Sequence, residues 1–279
     1  MTGTKEELTT AELASGVRIP LIGLGTWPLT GEDATASVAQ AIGNGYRHID
    51  TAENYANEAA VGEGIRRSGI ERSKLFLTTK FNSGWHSRDG VREAFGHAVK
   101  RLGTDYLDLF LVHWPNPAQG KFVEACEGLQ RLADDGSIRA WGLSNFKPAH
   151  LQLVQDAGLH VPLNQVQIDP EHGQPGQLAY HRDHGIVTAA YSPLGRNGAF
   201  LSHPAVTGPA RDLGKTSAQI VLRWHVQHGR VAVPKSANLD RQRENLDVFS
   251  FSLTQGQLDA IDALETGAPP RLDSDTFFH

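Results

Sequence analysis

The alternation of eight short β-rich runs with helical patterns constrains the fold of this chain more than any other feature. The runs cover residues 21–25, 48–50, 75–80, 106–113, 140–145, 163–169, 187–192 and 231–235. Strands that alternate with helices form a parallel sheet, and eight of them are the number that closes into a (β/α)8 barrel. The sequence therefore predicts an α/β fold of the (β/α)8 TIM barrel type, with an open doubly wound sheet as the alternative.

Helical periodicity lies between these runs. Apolar residues recur at helical spacing over 91–102, a segment that Ser87 can cap and Gly103 can end. Before the eighth run, Ser217 opens a second clear helical pattern and Gly229 closes it. Both helices have the length and position that a strand-to-strand connection in a barrel requires.

Two further elements flank the eight units. Residues 10–20 have the pattern of a β-hairpin that covers the amino-terminal end of the barrel. At the other end, residues 254–257 form a capping box that starts an extra C-terminal helix through Ile261 and Leu264. No linker or charge block divides the chain, so we expect one domain over residues 1–279.

Composition excludes several classes of protein. The single cysteine, Cys126, rules out a disulfide framework and a thiolate metal cage, and it is typical of a reducing compartment. No apolar run reaches the roughly 20 residues of a membrane span, and residues 1–10 are polar. The net charge of −5 with dispersed basic residues disfavours nucleic-acid binding. We expect a cytoplasmic protein without a metal, a membrane partner or a nucleic-acid partner.

Ionisable residues end three successive runs. Asp50 ends the second run, Lys80 the third and His113 the fourth, while Tyr55 follows Asp50 by five residues. Since active sites of such barrels lie at the carboxyl ends of the strands, these side chains are expected to converge. A purely structural ion pair between Asp50 and Lys80 is the simpler alternative, because buried charges usually need partners.

These four residue types suit proton transfer to a carbonyl group. A free tyrosine has a pKa near 10, which an adjacent ammonium lowers by favouring the phenolate. In this interpretation Lys80 supplies that charge and Asp50 keeps Lys80 protonated. Tyr55 then gives a proton to a carbonyl oxygen that His113 holds by a hydrogen bond, while a hydride reaches the carbon.

The sequence resembles the aldo-keto reductases along nearly its whole length, and especially the bacterial members similar to 2,5-diketogluconate reductase. The motifs that carry this resemblance are GLGTW at 23–27, DTA at 50–52, TK at 79–80, LVHWP at 111–115, GLSNF at 142–146, NQ at 164–165 and PKS at 234–236. The resemblance implies a catalytic tetrad of Asp50, Tyr55, Lys80 and His113. This set matches the roles proposed from the residues themselves.

The resemblance also implies NADPH as the hydride donor. No Gly-x-Gly-x-x-Gly follows any of the runs, so a Rossmann mode of binding is not expected. In relatives the nicotinamide stacks on the residue matching Tyr191, and its carboxamide is bound by those matching Ser144, Asn145 and Gln165. Further cofactor contacts are expected from the following residues of the loops after the seventh and eighth strands: Ser192, Leu194, Lys235, Ser236, Arg241, Glu244 and Asn245.

The basic residues after the eighth run favour NADPH over NADH. Lys235, Ser236 and Arg241 offer two cations and a hydroxyl, which suit a dianionic 2′-phosphate at a position where this fold commonly binds phosphate. The alternative is a solvated, mixed-charge helix start. Glu244 and Asn245 are assigned to the adenine by resemblance only.

Four aromatic residues are candidates for the substrate pocket. Trp27 and Trp114, with Phe81 or Trp85, are expected to form an apolar wall that orients a carbonyl. The short loop after His113 and the brief C-terminal tail predict an open pocket.

The expected function is therefore the reduction of aldehydes and ketones by a monomer that takes a small-molecule carbonyl substrate. Two alternatives stay open: a Schiff-base aldolase that uses Lys80, and a nucleotide-binding barrel that senses redox state with little turnover.

Overall fold

A computed structural model describes residues 9–14 and 16–277, which form an antiparallel hairpin followed by eight parallel strands. The hairpin pairs β1 (Thr10–Glu12) with β2 (Arg18–Pro20). The parallel strands are β3 (Leu24–Gly25), β4 (His48–Asp50), β5 (Phe76–Phe81), β6 (Leu107–Val112), β7 (Ile138–Ser144), β8 (Leu163–Gln167), β9 (Val187–Tyr191) and β10 (Val231–Val233). The predicted hairpin is confirmed, while its turn at Ser15 lies outside the described residues.

Helices connect the strands and surround them. They are α1 (Gly31–Gly43), α2 (Glu58–Ser68), α3 (Arg88–Leu102), α4 (Phe122–Asp134), α5 (Pro148–Asp156), α6 (Pro175–Asp183), α7 (Pro204–Leu213), α8 (Ser217–Gln227), α9 (Leu239–Leu246) and α10 (Gln255–Asp262). Within the described part of the chain, none of them is both long and apolar enough to cross a membrane.

Consecutive strands are neighbours from β3 to β10, and backbone hydrogen bonds complete the ring. The amide of Ala232 donates to the carbonyl of Leu21 at 2.8 Å, and the amide of Gly23 donates to the carbonyl of Ala232 at 2.9 Å. The (β/α)8 barrel is thus confirmed, and the open doubly wound sheet is wrong. Strand β3, the first strand of the barrel, is shorter than the predicted run 21–25. The reason is that the chain ahead of Leu24 makes only an isolated bridge to β10, through Ile22.

The capping residues read from the sequence define helix ends in the structure. The Ser87 hydroxyl accepts from the amide of Gly90 at the start of α3, and Gly103 ends that helix in the left-handed conformation. The capping box of α10 is also present, although the helix ends at Asp262 rather than at Leu264. Helix α7 was not predicted, because its two prolines interrupt the helical pattern.

The apolar core fixes the helices on the barrel. One buried cluster joins strand residues such as Leu77 and Leu109 to helix residues such as Val38 and Leu129. A second cluster, around Trp224, joins α7, α8 and α10 to the strands β8 and β9. Because α10 is anchored in this way, the tail that follows it starts from a fixed point on the barrel.

Gly64 provides a test of the close packing of α1 against α2. A Cβ atom on Gly64 would lie 2.7 Å from the Thr35 carbonyl oxygen and 2.8 Å from the Val38 Cβ. We expect Gly64→Ala to lower the free energy of unfolding by about 1–3 kcal/mol, because the two helix backbones must separate. Urea unfolding measures the change.

Gly96→Ala is the matched control. Gly96 lies in α3 with open space around it, so the same substitution removes only the glycine penalty and should stabilise the protein by up to about 1 kcal/mol. Equal effects of the two substitutions would contradict the packing argument.

Candidate active site

A cleft of about 710 Å³ opens at the carboxyl ends of the barrel strands. Its lining includes Asp50, Tyr55 and His113, and also Tyr191, Lys235 and Arg241. The cleft therefore brings residues from the loops after β4, β6, β9 and β10 to one place. It is the position at which barrels of this type place their chemistry.

A buried ion pair forms the floor of this cleft. The Lys80 Nζ donates to Asp50 Oδ1 at 2.7 Å and to the carbonyl oxygen of Thr51 at 2.9 Å. The other Asp50 oxygen accepts from Gln165 Nε2 at 2.8 Å. Lys80 and Asp50 are 1% and 3% exposed, so neighbouring residues replace the water that both charges have lost.

Tyr55 lies directly above this pair. Its hydroxyl is 3.4 Å from Lys80 Nζ, and its ring meets the His113 ring edge to face with centroids 5.8 Å apart. The side chains of Tyr55, Lys80 and His113 thus lie around one small space at the mouth of the barrel. Their convergence, which the strand ends predicted, is present in the structure, while their catalytic roles remain predictions at this point.

Local hydrogen bonds hold the short 3₁₀ segment Glu53–Tyr55 that carries Tyr55. The buried Asn57 side chain accepts from the Thr51 hydroxyl at 2.7 Å and donates to the carbonyl of Leu29 at 2.8 Å. Glu53 accepts from the backbone amide of Asn82 and from the Trp85 indole, both at 3.0 Å. These bonds tie the loop after β4 to the loops after β3 and β5, and they fix the position of the phenol.

Burial raises the pKa of the Tyr55 phenol above its ordinary value, while the charge on Lys80 acts in the opposite direction. The net shift is therefore opposite to the expected lowering of the phenol pKa, because loss of solvent outweighs the ammonium. Burial alone would lower the pKa of Lys80. The neighbouring Asp50 and Tyr55 have the larger combined effect in the opposite direction, so the net pKa of Lys80 lies above its ordinary value. The site thus holds a neutral phenol beside a charged ammonium.

A group of hydrogen-bonded polar side chains lies next to the ion pair. Asn145 Nδ2 donates to the carbonyl of His113 at 3.0 Å, and the Tyr191 hydroxyl donates to Asn145 Oδ1 at 2.9 Å. The Ser144 hydroxyl donates to the carbonyl of Gln165 at 3.0 Å. Asn145 adopts a left-handed backbone with φ 66°, a conformation that asparagine tolerates better than most residues. Ser144, Asn145, Gln165 and Tyr191 line the cleft together, and their assignment to the cofactor stays a prediction.

The loops after β9 and β10 also contribute to the cleft. Ser192, Leu194, Lys235 and Arg241 all line it. Lys235 and Arg241 are exposed side chains, so their charges can reach an anion in the cleft.

Three other residues predicted to bind the cofactor are not part of this wall. The Ser236 hydroxyl exchanges hydrogen bonds with the backbone of Asn238, the residue that caps α9. Glu244 is half-buried on α9, and Asn245 is buried. Their assignment to the cofactor is still a prediction.

The four aromatic candidates separate into two pairs. Trp27, which is 47% exposed, and Trp114 line the cleft. Phe81 lies away from the cleft, 4.9 Å from the Phe110 ring, because it follows Lys80 directly and side chains of a strand alternate in direction. Trp85 is held by Glu53 outside the cleft wall. Neither Phe81 nor Trp85 lines the cleft, and their assignment to the substrate stays a prediction.

The C-terminal tail covers part of the cleft, contrary to the expected open pocket. Leu272 and Phe277 line it, and the Phe277 ring lies 4.5 Å from the Trp114 ring. Arg271 anchors the tail by donating from its backbone amide to Gln167 Oε1 at 3.0 Å and from its guanidinium to the Gly195 carbonyl at 2.9 Å. The sequence has no periodic pattern here, so these contacts were missed.

Arg196 was also missed. Its guanidinium lies 4.6 Å from the centre of the Trp27 ring and lines the cleft. Both Arg196 and Asn197 have a positive φ, which turns the loop after β9 across the cleft toward the loop after β3. A glycine on each side, at positions 195 and 198, was the available signal for a sharply turned loop.

Comparisons with known proteins agree with this architecture. The sequence model described as "Aldo/keto reductase family" matches residues 21–266. Among curated relatives, 2,5-diketo-D-gluconic acid reductase B of Corynebacterium sp. is 41% identical, covering 91% of this chain and 92% of its own. Morphine 6-dehydrogenase of Pseudomonas putida is 39% identical and covers 95% of both chains. The chain belongs to the aldo/keto reductase family.

Solved structures give the same result. A variant of the protein Gox0644 in complex with NADPH superposes with a TM-score of 0.91 at 35% identity, covering 97% of this chain and 99% of that one. An aldo/keto reductase from Brucella melitensis superposes with a TM-score of 0.89 at 38% identity, covering 94% of this chain and 100% of its own.

Titration of Tyr55 tests the protonation state of the site. Since burial raises its pKa, the difference in phenolate absorbance between the wild type and Tyr55→Phe should appear only above the ordinary value of about 10. The contribution of Tyr55 to the free energy of unfolding is complete below that pH. It is lost as the pH rises through the higher pKa that Tyr55 has in the folded protein. Lys80→Met should move the midpoint further up, because it removes the charge that favours phenolate. A Tyr55 midpoint below pH 10 would contradict this description.

Proposed function

We propose that this protein is an NADPH-dependent oxidoreductase that reduces aldehydes and ketones to alcohols, with Tyr55 as the proton donor. The observation that carries the proposal is the position of the Tyr55 hydroxyl, 3.4 Å from the Lys80 ammonium and beside the His113 ring. A proton donor and a hydrogen-bond donor thus face the same small space. That space is where the oxygen of a bound carbonyl would lie.

The residues of the cleft fit a nicotinamide dinucleotide phosphate. Tyr191 offers an aromatic face, and the side chains of Ser144, Asn145 and Gln165 offer hydrogen-bonding groups for a carboxamide. At the other end, Arg241 and Lys235 offer two exposed cations for the 2′-phosphate. NADPH in complex with the structurally similar Gox0644 variant supports this assignment.

Tyr55 acts as general acid in the reduction. When bound, NADPH supplies a hydride to the carbonyl carbon. Tyr55 gives its proton to the carbonyl oxygen, and the Lys80 ammonium stabilises the phenolate that remains. A phenol whose pKa is not below its ordinary value of about 10 carries its proton at neutral pH before the reaction. In the reverse direction the phenolate is the base that takes the proton from an alcohol.

Asp50 and Gln165 act as positioning residues. Asp50 holds the ammonium of Lys80, and Gln165 occupies the second carboxylate oxygen. Both interactions keep Lys80 charged and directed at Tyr55. His113 orients the carbonyl by a hydrogen bond to its oxygen.

The upper wall of the cleft indicates the kind of carbonyl compound. Trp27, Trp114 and Phe277 provide apolar surface near the reacting groups, and Arg196 adds a cation beside Trp27. We therefore propose aldehydes and ketones with an apolar or aromatic substituent. The relatives include a reductase named for a diketo sugar acid and a dehydrogenase named for morphine, and these names support a proposal that covers compounds of differing size.

The geometry disfavours a Schiff-base aldolase. A lysine that attacks a carbonyl must lose its proton, whereas Lys80 is paired with Asp50 and its pKa is raised. Borohydride trapping of substrate on Lys80 would support the aldolase instead.

Tyr55→Phe tests the proton donor. We expect the rate of NADPH-dependent reduction of a panel of aldehydes and ketones to fall by roughly 10²–10⁴-fold, because the acid is removed. Binding of NADPH, measured by fluorescence titration, should change little. Tight NADPH binding by the wild type without turnover of any carbonyl compound would contradict the proposal and support a redox-sensing role.

Arg241→Ala tests the choice of cofactor. The substitution removes a cation from the proposed 2′-phosphate site, so we expect NADPH binding to weaken by roughly 10- to 100-fold, the range for charge-assisted hydrogen bonds. NADH binding should change much less, since NADH has no 2′-phosphate. Arg243→Ala, on the same helix but outside the cleft wall, is the control. Comparable losses for both cofactors in Arg241→Ala would contradict the assignment.

A further inference from the structure

The C-terminal tail, residues 271–277, is held by charged groups that lie outside the cleft. Lys147 Nζ lies 2.5 Å from Asp273 Oδ1 and 2.6 Å from Asp275 Oδ2. His150 Nε2 lies 2.9 Å from Asp275 Oδ1. Two side chains at the start of α5 thus bind two carboxylates of the tail. We call these four residues the tether, and none of them lines the cleft.

His150 gives the tether a fixed point on the barrel. Its side chain is 8% exposed and packs against the rings of Phe122 and Phe146, with centroid distances of 5.8 and 6.0 Å. Its Nδ1 accepts from the backbone amide of Lys147 at 3.2 Å, so the ring proton lies on Nε2 and is donated to Asp275. The imidazole is therefore already oriented for the carboxylate that it binds.

The other half of the tether is a short turn of the tail. The carbonyl of Asp273 accepts from the amide of Phe277 at 2.8 Å, and its carboxylate accepts from the amide of Asp275 at 3.0 Å. Ser274, between the two acids, is 5% exposed. Because backbone hydrogen bonds close this turn, holding the two carboxylates also holds Phe277.

Phe277 brings the turn into the cleft. Its ring lies 4.5 Å from the Trp114 ring, and both residues line the cleft together with Leu272. The anchor at Arg271 lies six residues before Phe277. A chain of that length has enough freedom that the anchor does not by itself fix the ring. The position of the ring therefore depends on the tether.

The number of shared contacts makes the tether stronger than a single surface ion pair. An isolated exposed pair contributes little, because ordering two long side chains costs about as much as the attraction returns. Here one ammonium binds two carboxylates, and Asp275 is shared with the packed imidazole of His150. Less side-chain freedom is lost when the tail docks, so the tether favours the docked tail.

We propose that Lys147 is a positioning residue that, together with His150, holds Phe277 in the apolar wall that receives the substituent of the carbonyl compound. Lys147 acts through the tail and touches neither substrate nor cofactor. The inference rests on the proposed function, because it assigns Phe277 to the substrate of that reaction. The tether then determines how tightly a compound with an apolar substituent binds, and not how fast the bound compound reacts.

Nuclear magnetic resonance of the tryptophan indole groups shows the position of the tail without any turnover. The ring of Phe277 lies against Trp114, so its ring current shifts the Trp114 resonance, which Trp114→Phe assigns. Phe277→Ala gives the resonance of an uncovered Trp114. We expect Lys147→Met to move the resonance most of the way to that value. Lys147→Arg keeps the charge and should leave it near the wild-type position.

Steady-state kinetics with two aldehydes test the consequence for the substrate. We expect Lys147→Met to raise the KM for cinnamaldehyde by roughly 3- to 10-fold, since apolar surface is left uncovered. The kcat and the KM for propanal should change little, the pattern for a lost binding contact. Phe277→Ala should give the same pattern with a larger effect. In the double variant the KM should equal that of Phe277→Ala alone, because Lys147 acts through Phe277.

Two further variants complete the experiment. Asp273→Asn combined with Asp275→Asn removes the same charges from the tail side, so it should reproduce the effect of Lys147→Met. Lys74→Met removes a lysine that pairs with Glu71 elsewhere on the surface and should behave like the wild type. The affinity for NADPH, measured by fluorescence titration, should be the same in all these variants.

The proposal is overturned if the Trp114 resonance of Lys147→Met coincides with that of the wild type. It is also overturned if Lys147→Met raises the KM for both aldehydes alike, weakens NADPH to the same degree, or adds to the effect of Phe277→Ala. Absence of carbonyl turnover in the wild type would contradict the proposed function, whereas the Trp114 resonance tests the tether in either case.

Discussion

The buried contact between Asp50 and Lys80 is the interaction on which the site depends. Removing two charges from water costs several kcal/mol for each ion unless neighbouring groups replace the lost hydration. Here the pair itself joins β4 and β5, and the replacements come from Gln165 of β8 and from the carbonyl of Thr51, directly after β4. The pair is therefore compatible only with a closed barrel. Any change that separates β4, β5 and β8 would leave a charge buried without a partner.

The barrel and the central residues were predictable because their signals are local. Strand and helix periodicities identified eight units, and the last polar residue of each strand identified Asp50, Lys80 and His113. Parallel strands end at the same edge of a sheet, so convergence follows from the topology without knowledge of the packing. The same alternation places Phe81 on the opposite side from Lys80, which is why it packs against Phe110 and does not line the cleft.

Other features depend on contacts between residues distant in the sequence. The direction of the pKa shift of Tyr55 depends on how completely the folded loops exclude water from the phenol. No sequence motif indicates that degree of burial. The tail with Phe277 and the turned loop with Arg196 have no periodicity, and only the folded chain shows that they cover the cleft. Lys147 is similar, since a single lysine ahead of a helix gives no sign of the two carboxylates that it binds 126 and 128 residues later.

The hydrogen bond from Gln165 to Asp50 joins strands that stand four places apart in a ring of eight, and so on opposite sides of it. It links the two sides of the barrel beneath the reacting groups. In the proposed reaction only the functional group of the reactant lies near this hydrogen bond. The rest of the reactant molecule lies among the surrounding loops. Loop sequences can therefore diverge, and with them the choice of compound, while the proton-transfer apparatus below stays unaltered.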